Sequence, residues 1–308
     1  MDLFYRLSQM TSKPVGAATI GNFDGFHRGH QCLVSQVVQK GKGEGGSLLV
    51  TFEPHPREIL NPQVRVPRLS SDWTQLCGHF EAAGLDEVLQ LQTSREFLKL
   101  TATDFMEMLW EKRPFRHLVV GHDFALGANR EGNAEFLKKW CDQKHIEFFQ
   151  VEAFVVDGEV VSSQRIRSEL LNGHVDKAAT LLGQPYLVQG EVQRGEGRGK
   201  LLKFPTANIL IEGKQLVPQA GVYAGWVWVK NKRHPAVVNL GKKPTFENSG
   251  EDSLLEIHIL DFEKDIYGEI LKFEFVHHLR EVRKFPSLDS LVEQIGKDVL
   301  QARKALDQ

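Results

Sequence analysis

Thr19-Ile20-Gly21-Asn22-Phe23-Asp24-Gly25-Phe26-His27-Arg28-Gly29-His30 is the stretch that decides the fold of the first half of this chain. A strand-like apolar run, residues 15–20, stops at Gly21, and a helical pattern starts at Arg28. Two histidines three residues apart, with glycines on both sides, stand at that junction. Glycine lets the backbone approach phosphate oxygens, a helix N-terminus offers N–H groups, and imidazoles add donors. The segment therefore suits a nucleoside triphosphate. Gly21, Gly25 and Gly29 would let the backbone approach the phosphates, and His27 and His30 would donate to them.

Outward from this junction the same rhythm repeats. Residues 28–38 read as a helix with Cys32, Leu33 and Val37 on one face, and residues 47–52 as a strand. Helical patterns follow at 72–83, 102–110 and 135–143, alternating with strand-like runs at 87–91, 117–120 and 146–151. Strict alternation predicts a parallel sheet wrapped by helices, a doubly wound Rossmann-like α/β domain. In such sheets ligands sit at the carboxyl ends of the strands, where Gly21–His30 would lie.

After two helical segments at 167–171 and 175–182, the character changes. Short β-branched or aromatic runs at 186–192, 206–211, 221–229, 234–240, 254–260 and 269–275 are separated by Gly, Pro, Asn and Asp. They predict a small antiparallel β-barrel, and the amphipathic segment 288–306 predicts a helix that closes one side of it. The turn Leu182-Gly183-Gln184-Pro185 marks the boundary, giving domains 1–183 and 184–308.

Composition excludes several classes of protein. With 308 residues, 41% apolar and 25% charged, the chain suits two globular cores. A formal charge of −2 gives no reason to expect a general nucleic-acid or anionic-membrane binder. The three cysteines are widely spaced and read as reduced thiols, and the opening MDLFYRLSQM has no long apolar core. The expected setting is cytoplasmic.

Longer motifs narrow the function. GNFDGFHRGH resembles the ATP site of nucleotidylyltransferases, in the form found in the adenylyltransferase half of bacterial bifunctional riboflavin kinase/FAD synthetases. Thr51-Phe52-Glu53-Pro54-His55-Pro56-Arg57 is similar to that family's second-strand loop. Val120-Gly121-His122-Asp123-Phe124, with Gly127, Arg130 and Gly132, resembles another of its loops, and by that resemblance Asp123 contacts ATP. Val161-Ser162-Ser163-Gln164-Arg165-Ile166-Arg167 resembles a third. Its chemistry is that of a Ser-Ser helix start followed by arginines, so Ser162, Ser163 and Arg167 can bind an anion. Ordinary N-capping explains the serines equally well. The chain departs from the family pattern at Ala125, Leu126 and Gln164.

In the second half, Gly195, Gly197 and Gly199 alternate with charged residues, Arg198 among them. Such a loop can wrap phosphates or serve as a flexible hairpin. Pro205-Thr206-Ala207-Asn208 follows, the central motif of riboflavin kinases, and the resemblance implies that Thr206 and Asn208 hold Mg²⁺ and that Asn208 also meets the ATP phosphates. Residues 221–224, 239–246, 255–258, 267–268 and 280–285 follow in the family's order, which implies flavin contacts at Arg280 and Phe285. Lys203 and Val282 are departures. Glu256 lies in an apolar strand whose alternation aims it with Leu254 and His258 at one face. A solvated glutamate would fit that pattern too, but the family's catalytic carboxylate falls here. The resemblance implies a two-step enzyme using ATP and Mg²⁺, converting riboflavin to FMN and FMN to FAD. Two alternatives stay open: only one half is active, or the chain binds flavin without turnover.

Overall fold

The computed structural model describes residues 1–70, 72–194, 204–211, 214–242 and 253–307. Their contacts form two compact units, residues 1–66 with 73–161, and residues 67–72 with 162–308.

The first unit carries β1 (Asp2–Phe4), β2 (Val15–Ile20), α1 (Arg28–Gly41), β3 (Ser47–Glu53), α2 (Pro56–Leu60) and α3 (Trp73–Ala82). Then come β4 (Glu87–Gln92), α4 (Ala102–Lys112), β5 (Phe115–Gly121), α5 (Ala134–Gln143), β6 (Glu147–Val151) and the short pair β7 (Val155–Val156) and β8 (Glu159–Val160). Strands β1 to β6 form one parallel sheet in the order β1-β4-β3-β2-β5-β6.

Both faces of the sheet are covered, so its inner strands are apolar throughout rather than alternating. On one face Ala17, Leu49, Val88 and Val119 pack against Leu33, Val34 and Val37 of α1 and Leu76 and Phe80 of α3. On the other, Ile20, Leu48, Val50, Leu118 and Val120 meet Phe105, Met106 and Leu109 of α4 and Leu137 and Trp140 of α5. Each of the Val, Leu, Ile, Phe and Met side chains contributes roughly 1.5–3 kcal/mol on burial. This is the doubly wound arrangement expected from the alternation. Chain order reverses beside β2, whose neighbours are β3 and β5, so the ligand crevice of this topology opens at the ends of β2 and β5. Cys141 sits in the core, where burial, with help from Asp142, pushes its thiol up to about 12 and keeps it inert.

The second unit holds α6 (Ser163–Leu171), α7 (Val175–Leu182), β9 (Tyr186–Gln193), β10 (Ala207–Ile211) and β11 (Gly221–Val229). It continues with β12 (Lys232–Lys242), β13 (Ser253–Ile259), β14 (Ile270–Arg280) and a final helix, α8 (Leu288–Ala305). The strands close an antiparallel barrel in the order β10-β13-β12-β11-β14-β9. Alternation sends Val238, Leu240, Leu255, Ile257, Phe273 and Phe275 inward. The final helix lies on the outer wall at β11, β12 and β14, where Ala302 and Leu306 cover Val222, Ala224 and Val237. Helix α7 packs against β9 and β14.

The structure differs from the sequence expectations at element ends and in the grouping by contacts, which joins α6 and α7 to the barrel where the sequence reading drew the boundary after Gly183. Helix α6 starts at Ser163 rather than Arg167, because Ser162 caps it. Strand β14 continues past Phe275 to Arg280. Strand β1, the β7–β8 hairpin and α2 were not expected; the strands are two or three residues long, too short for a period to register.

Candidate functional site

In the first unit the junction read from the sequence is a sharply folded loop between β2 and α1. Gly25 has φ +80° and Phe26 φ +42°, so two successive residues are left-handed. Phenylalanine at such an angle costs roughly 1–2 kcal/mol. Burial of its ring offsets that cost: Phe26 is 4% exposed and meets Phe80 edge-on at 5.3 Å and His79 in a stack at 6.1 Å. Phe23 is pegged into the same cluster, against Phe80 at 6.1 Å and His30 at 5.1 Å. Gln31 donates from its side chain to the Phe26 carbonyl at 2.8 Å. Two aromatic pegs thus hold the loop from below, while Asn22 remains at the surface.

His27 is the N-cap of α1, and its Nδ1 accepts from the His30 N–H at 3.3 Å. A ring nitrogen that accepts leaves the other nitrogen, Nε2, as the N–H donor of the neutral imidazole. The His27 and His30 rings stack at 3.6 Å with planes 17° apart. Burial, reinforced by His27, holds the His30 imidazole well below its ordinary value, so it is neutral at pH 7. Its Nδ1 is buried with no hydrogen-bond partner among the described residues. Gly29 lets the ring pack closely: a Cβ would lie 3.2 Å from Cε1 and Nδ1 of His27, which would have to give way. The first turn of α1 also presents N–H groups that lack an intrahelical acceptor. The arrangement can bind an anion through fixed dipoles and imidazole N–H donors.

The second loop of the crevice follows β5. Asp123 is exposed, and its backbone carbonyl accepts from Arg130 Nη2 at 3.0 Å. Gln150 on β6 donates to the His122 carbonyl at 2.8 Å. Leu126, one of the departures from the family pattern, is buried in the core. His55 behaves as His27 does: it caps α2, its Nδ1 accepting from the Arg57 N–H at 3.1 Å.

Ser162, Ser163 and Arg167 belong to the second unit. Ser162 caps α6 by accepting from the Arg165 N–H at 3.2 Å, Ser163 is the first helical residue, and Arg167 Nε donates to the Pro67 carbonyl at 2.8 Å. Gly195, Gly197, Arg198, Gly199 and Lys203 lie outside the described residues.

On the barrel, register brings distant residues into one row. Gln193 pairs with Asn208, Asn208 with Glu256, and Glu256 with Asn239. Leu255 and Ile257 point inward, so Glu256 stands on the outer wall with Leu254 and His258, on one face as the alternation predicted. Asn239 Nδ2 donates to Glu256 Oε2 at 2.8 Å. His258 Nδ1 donates to the Pro205 carbonyl at 2.9 Å, and its ring meets Phe204 edge-on at 5.3 Å, tethering the segment that leads to Thr206. Asn239 and His258 had no role assigned from sequence. The signal for His258 was its two-residue spacing from Glu256; Asn239 opens the 239–246 stretch, which carried no role for it. The Thr206 hydroxyl and the Asn208 amide oxygen are hard oxygen donors of the kind Mg²⁺ takes.

Arg280 at the end of β14 is tied to α8. Its Nε and Nη2 donate to the buried Asp298 at 2.8–3.1 Å, and Gln294 donates to the same carboxylate at 2.8 Å. Phe285 lies under the Arg280 guanidinium at 5.6 Å, so these two residues are brought together.

Comparison with known proteins accounts for both regions. An FAD synthetase family model matches residues 9–165, and a riboflavin kinase family model matches residues 182–306. The bifunctional riboflavin kinase/FMN adenylyltransferase of Pseudomonas fluorescens is 35% identical over 288 residues, 93% of this chain and 91% of that one. The protein of the same description from Haemophilus influenzae is 37% identical over 293 residues, 93% of each chain. A crystal structure described as a macrolide-efflux protein from Streptococcus pneumoniae superposes with a TM-score of 0.89 at 29% identity, covering 98% of both chains. Two family models in sequence order and near-complete coverage by these relatives place this chain in the bifunctional riboflavin kinase/FMN adenylyltransferase family.

Proposed function

We infer that the chain phosphorylates riboflavin to FMN and adenylylates FMN to FAD, with ATP as the co-substrate of both steps. The observation that carries this reading is the fall of the two matched spans, 9–165 and 182–306, on the two regions that hold phosphate-handling residues. The same spans support a division into an adenylyltransferase half, 1–183, and a kinase half, 184–308.

The two reactions make different demands. Riboflavin attacks the γ-phosphorus of ATP through a primary alcohol, which is un-ionised at neutral pH, so a base helps. Glu256 takes the proton as the phosphoryl group moves to the alcohol oxygen and ADP leaves. Thr206 and Asn208 would hold Mg²⁺, which would neutralise charge on the ATP phosphates. Asn208 and the glycine loop around Gly195, Gly197, Arg198 and Gly199 would hold those phosphates, and Arg280 and Phe285 would border the flavin. The FMN phosphate needs no base, because its second pKa is about 6. His27 Nε2–H and His30, with the N–H groups of α1, stabilise charge on ATP and departing pyrophosphate. Gly21, Asn22, Phe23, Asp24, Gly25, Gly29 and Asp123 shape this ATP site, while Ser162, Ser163 and Arg167 are anion-binding candidates of the second unit.

Among the described residues no helix is long and apolar enough to cross a membrane. We place the activity in the cytoplasm with small-molecule partners, riboflavin, FMN, FAD and ATP, and neither nucleic acid nor membrane. Supplying riboflavin or FMN separately with Mg-ATP and resolving products by chromatography tests the reading. FMN should form in the first reaction and FAD in the second. FAD from FMN without FMN from riboflavin would remove the bifunctional claim, and tight flavin binding without turnover would remove both.

A further inference from the structure

Glu256 is held from the side by a residue of another strand. Its two directly opposite neighbours are Asn208 on β10 and Asn239 on β12, and the Asn239 amide donates to Oε2 at 2.8 Å. An ionised carboxylate only accepts, so the amide must present its NH₂ group. We propose that Asn239 is a positioning residue for riboflavin phosphorylation, fixing one oxygen of Glu256 so that the other, Oε1, takes the proton from the substrate alcohol. This rests on the reading of Glu256 as the base.

The physical reason lies in where Glu256 stands. A glutamate on the outer wall of a barrel has three side-chain torsions, and few neighbours restrict them. Proton transfer needs the accepting oxygen within hydrogen-bond reach of the alcohol while the γ-phosphorus is aligned. A charge-assisted bond to one carboxylate oxygen removes most of that freedom and leaves the second oxygen available. A neutral amide does this without an ion pair, which would hold the carboxylate in its charged form and oppose proton uptake.

Asn239 is itself well placed to be rigid. Its opposite neighbour on β11 is Val222, 3% exposed beneath the final helix with Val237 and Ala302. The residue therefore stands at the border between the helix-covered wall and the Glu256 row, with apolar packing on one flank and the carboxylate on the other. Leucine at 239 would fit the apolar flank and remove the donor. Aspartate would keep the shape, remove the donor and set a like charge beside Glu256.

A double-mutant cycle on the full chain tests the proposal, using steady-state riboflavin phosphorylation by wild type, Asn239→Leu, Asn239→Asp, Glu256→Gln and Asn239→Leu/Glu256→Gln. FMN-to-FAD conversion by the same preparations reports intact protein. Asn239→Leu should lower kcat about ten- to hundredfold while KM for riboflavin and ATP stays within about threefold. Asn239→Asp should lose at least as much. In the Glu256→Gln background the leucine should change the residual rate by less than about twofold, because its effect runs through the missing carboxylate. A full loss multiplied onto Glu256→Gln, or an effect confined to KM, overturns the positioning role and leaves Glu256 as the base. Glu256→Gln retaining more than about a third of wild-type kcat removes the base itself, and the inference with it.

Discussion

The Gly21–His30 loop of the parallel-sheet unit and the Glu256 row of the barrel, the two phosphate-handling sites proposed above, are built in opposite ways. The loop draws its groups from one continuous stretch, Gly21 to His30, and its geometry comes from backbone angles and a helix cap. The row draws Gln193, Asn208, Glu256 and Asn239 from four strands, and its geometry comes from register alone. A site built from backbone suits a step that needs only aligned phosphates and fixed donors. A site built from cross-strand side chains suits a step that needs a proton acceptor at one point. The two should therefore fail independently and in different ways.

The largest effect should come from Glu256→Gln. Loss of the base should lower FMN formation by about a thousandfold, within the range for general-base catalysis, while FMN-to-FAD conversion stays within about twofold of wild type. Loss of both activities in folded protein would break the comparison. Next, His27→Ala and His30→Ala should each lower FAD formation by about a hundredfold, the cost of removing a preorganised donor, and leave riboflavin phosphorylation unchanged. Separate assays on riboflavin and on FMN measure both.

Third comes a stability effect that sharpens the barrel side. Asp298 is 2% exposed and takes two nitrogens of Arg280. Asp298→Ala leaves that cation without its partner and should destabilise the barrel unit by about 3 kcal/mol, read as a shift of the urea midpoint. The Arg280 side chain is only 20% exposed, so solvent repairs little of the loss. A midpoint unchanged by the substitution would mean the clasp contributes nothing.

Arg280 also shows where sequence reading stops. Its place in a family motif pointed to flavin, while its hydrogen bonds join β14 to a helix whose own sequence shows only an amphipathic period. Nothing in a linear pattern ties position 280 to 298. Asn239 stood at the head of the 239–246 stretch, but its link to Glu256 could not be read there, since that partner is fixed by strand pairing. The Gly21–His30 junction, by contrast, was legible as a strand end, glycines and a helix start, all of them local, whereas the left-handed Gly25–Phe26 pair and the His27 cap were not foreseen. The doubly wound sheet was legible too, because apolar strands alternating with helices admit few layouts. The extra edge strand β1 was not, for it has three residues and pairs with β4 far along the chain.

A smaller effect tests how tightly the loop is built. Gly29→Ala brings a methyl to 3.2 Å from the His27 ring, and the ring must turn to make room. FAD formation should fall about tenfold through misalignment of the His27 donor, with FMN formation unaffected. Rates equal to wild type would show that the His27 orientation seen here is not the one used in the reaction.

The smallest effect separates the two constructions by pH. Burial first, and His27 second, hold the His30 imidazole well below its ordinary value in the folded protein. In the unfolded chain it titrates near 6.5. As pH falls through that value the unfolded state binds a proton that the folded state refuses, so unfolding is favoured and stability is lost on the acid side. The slope from this one group is at most about 1.4 kcal/mol per pH unit, running from about pH 6.5 down to the depressed folded value. His79, lowered by burial alone, adds to the loss in the same direction. Urea unfolding of wild type and His30→Gln at steps from pH 7 to pH 5 isolates the His30 part, because the His79 contribution is common to both. The variant should lose stability more slowly on acidification, by up to one proton's worth of slope. Equal slopes would mean that His30 takes up its proton as readily folded as unfolded, and it would then meet phosphate as a charged group rather than as a neutral donor.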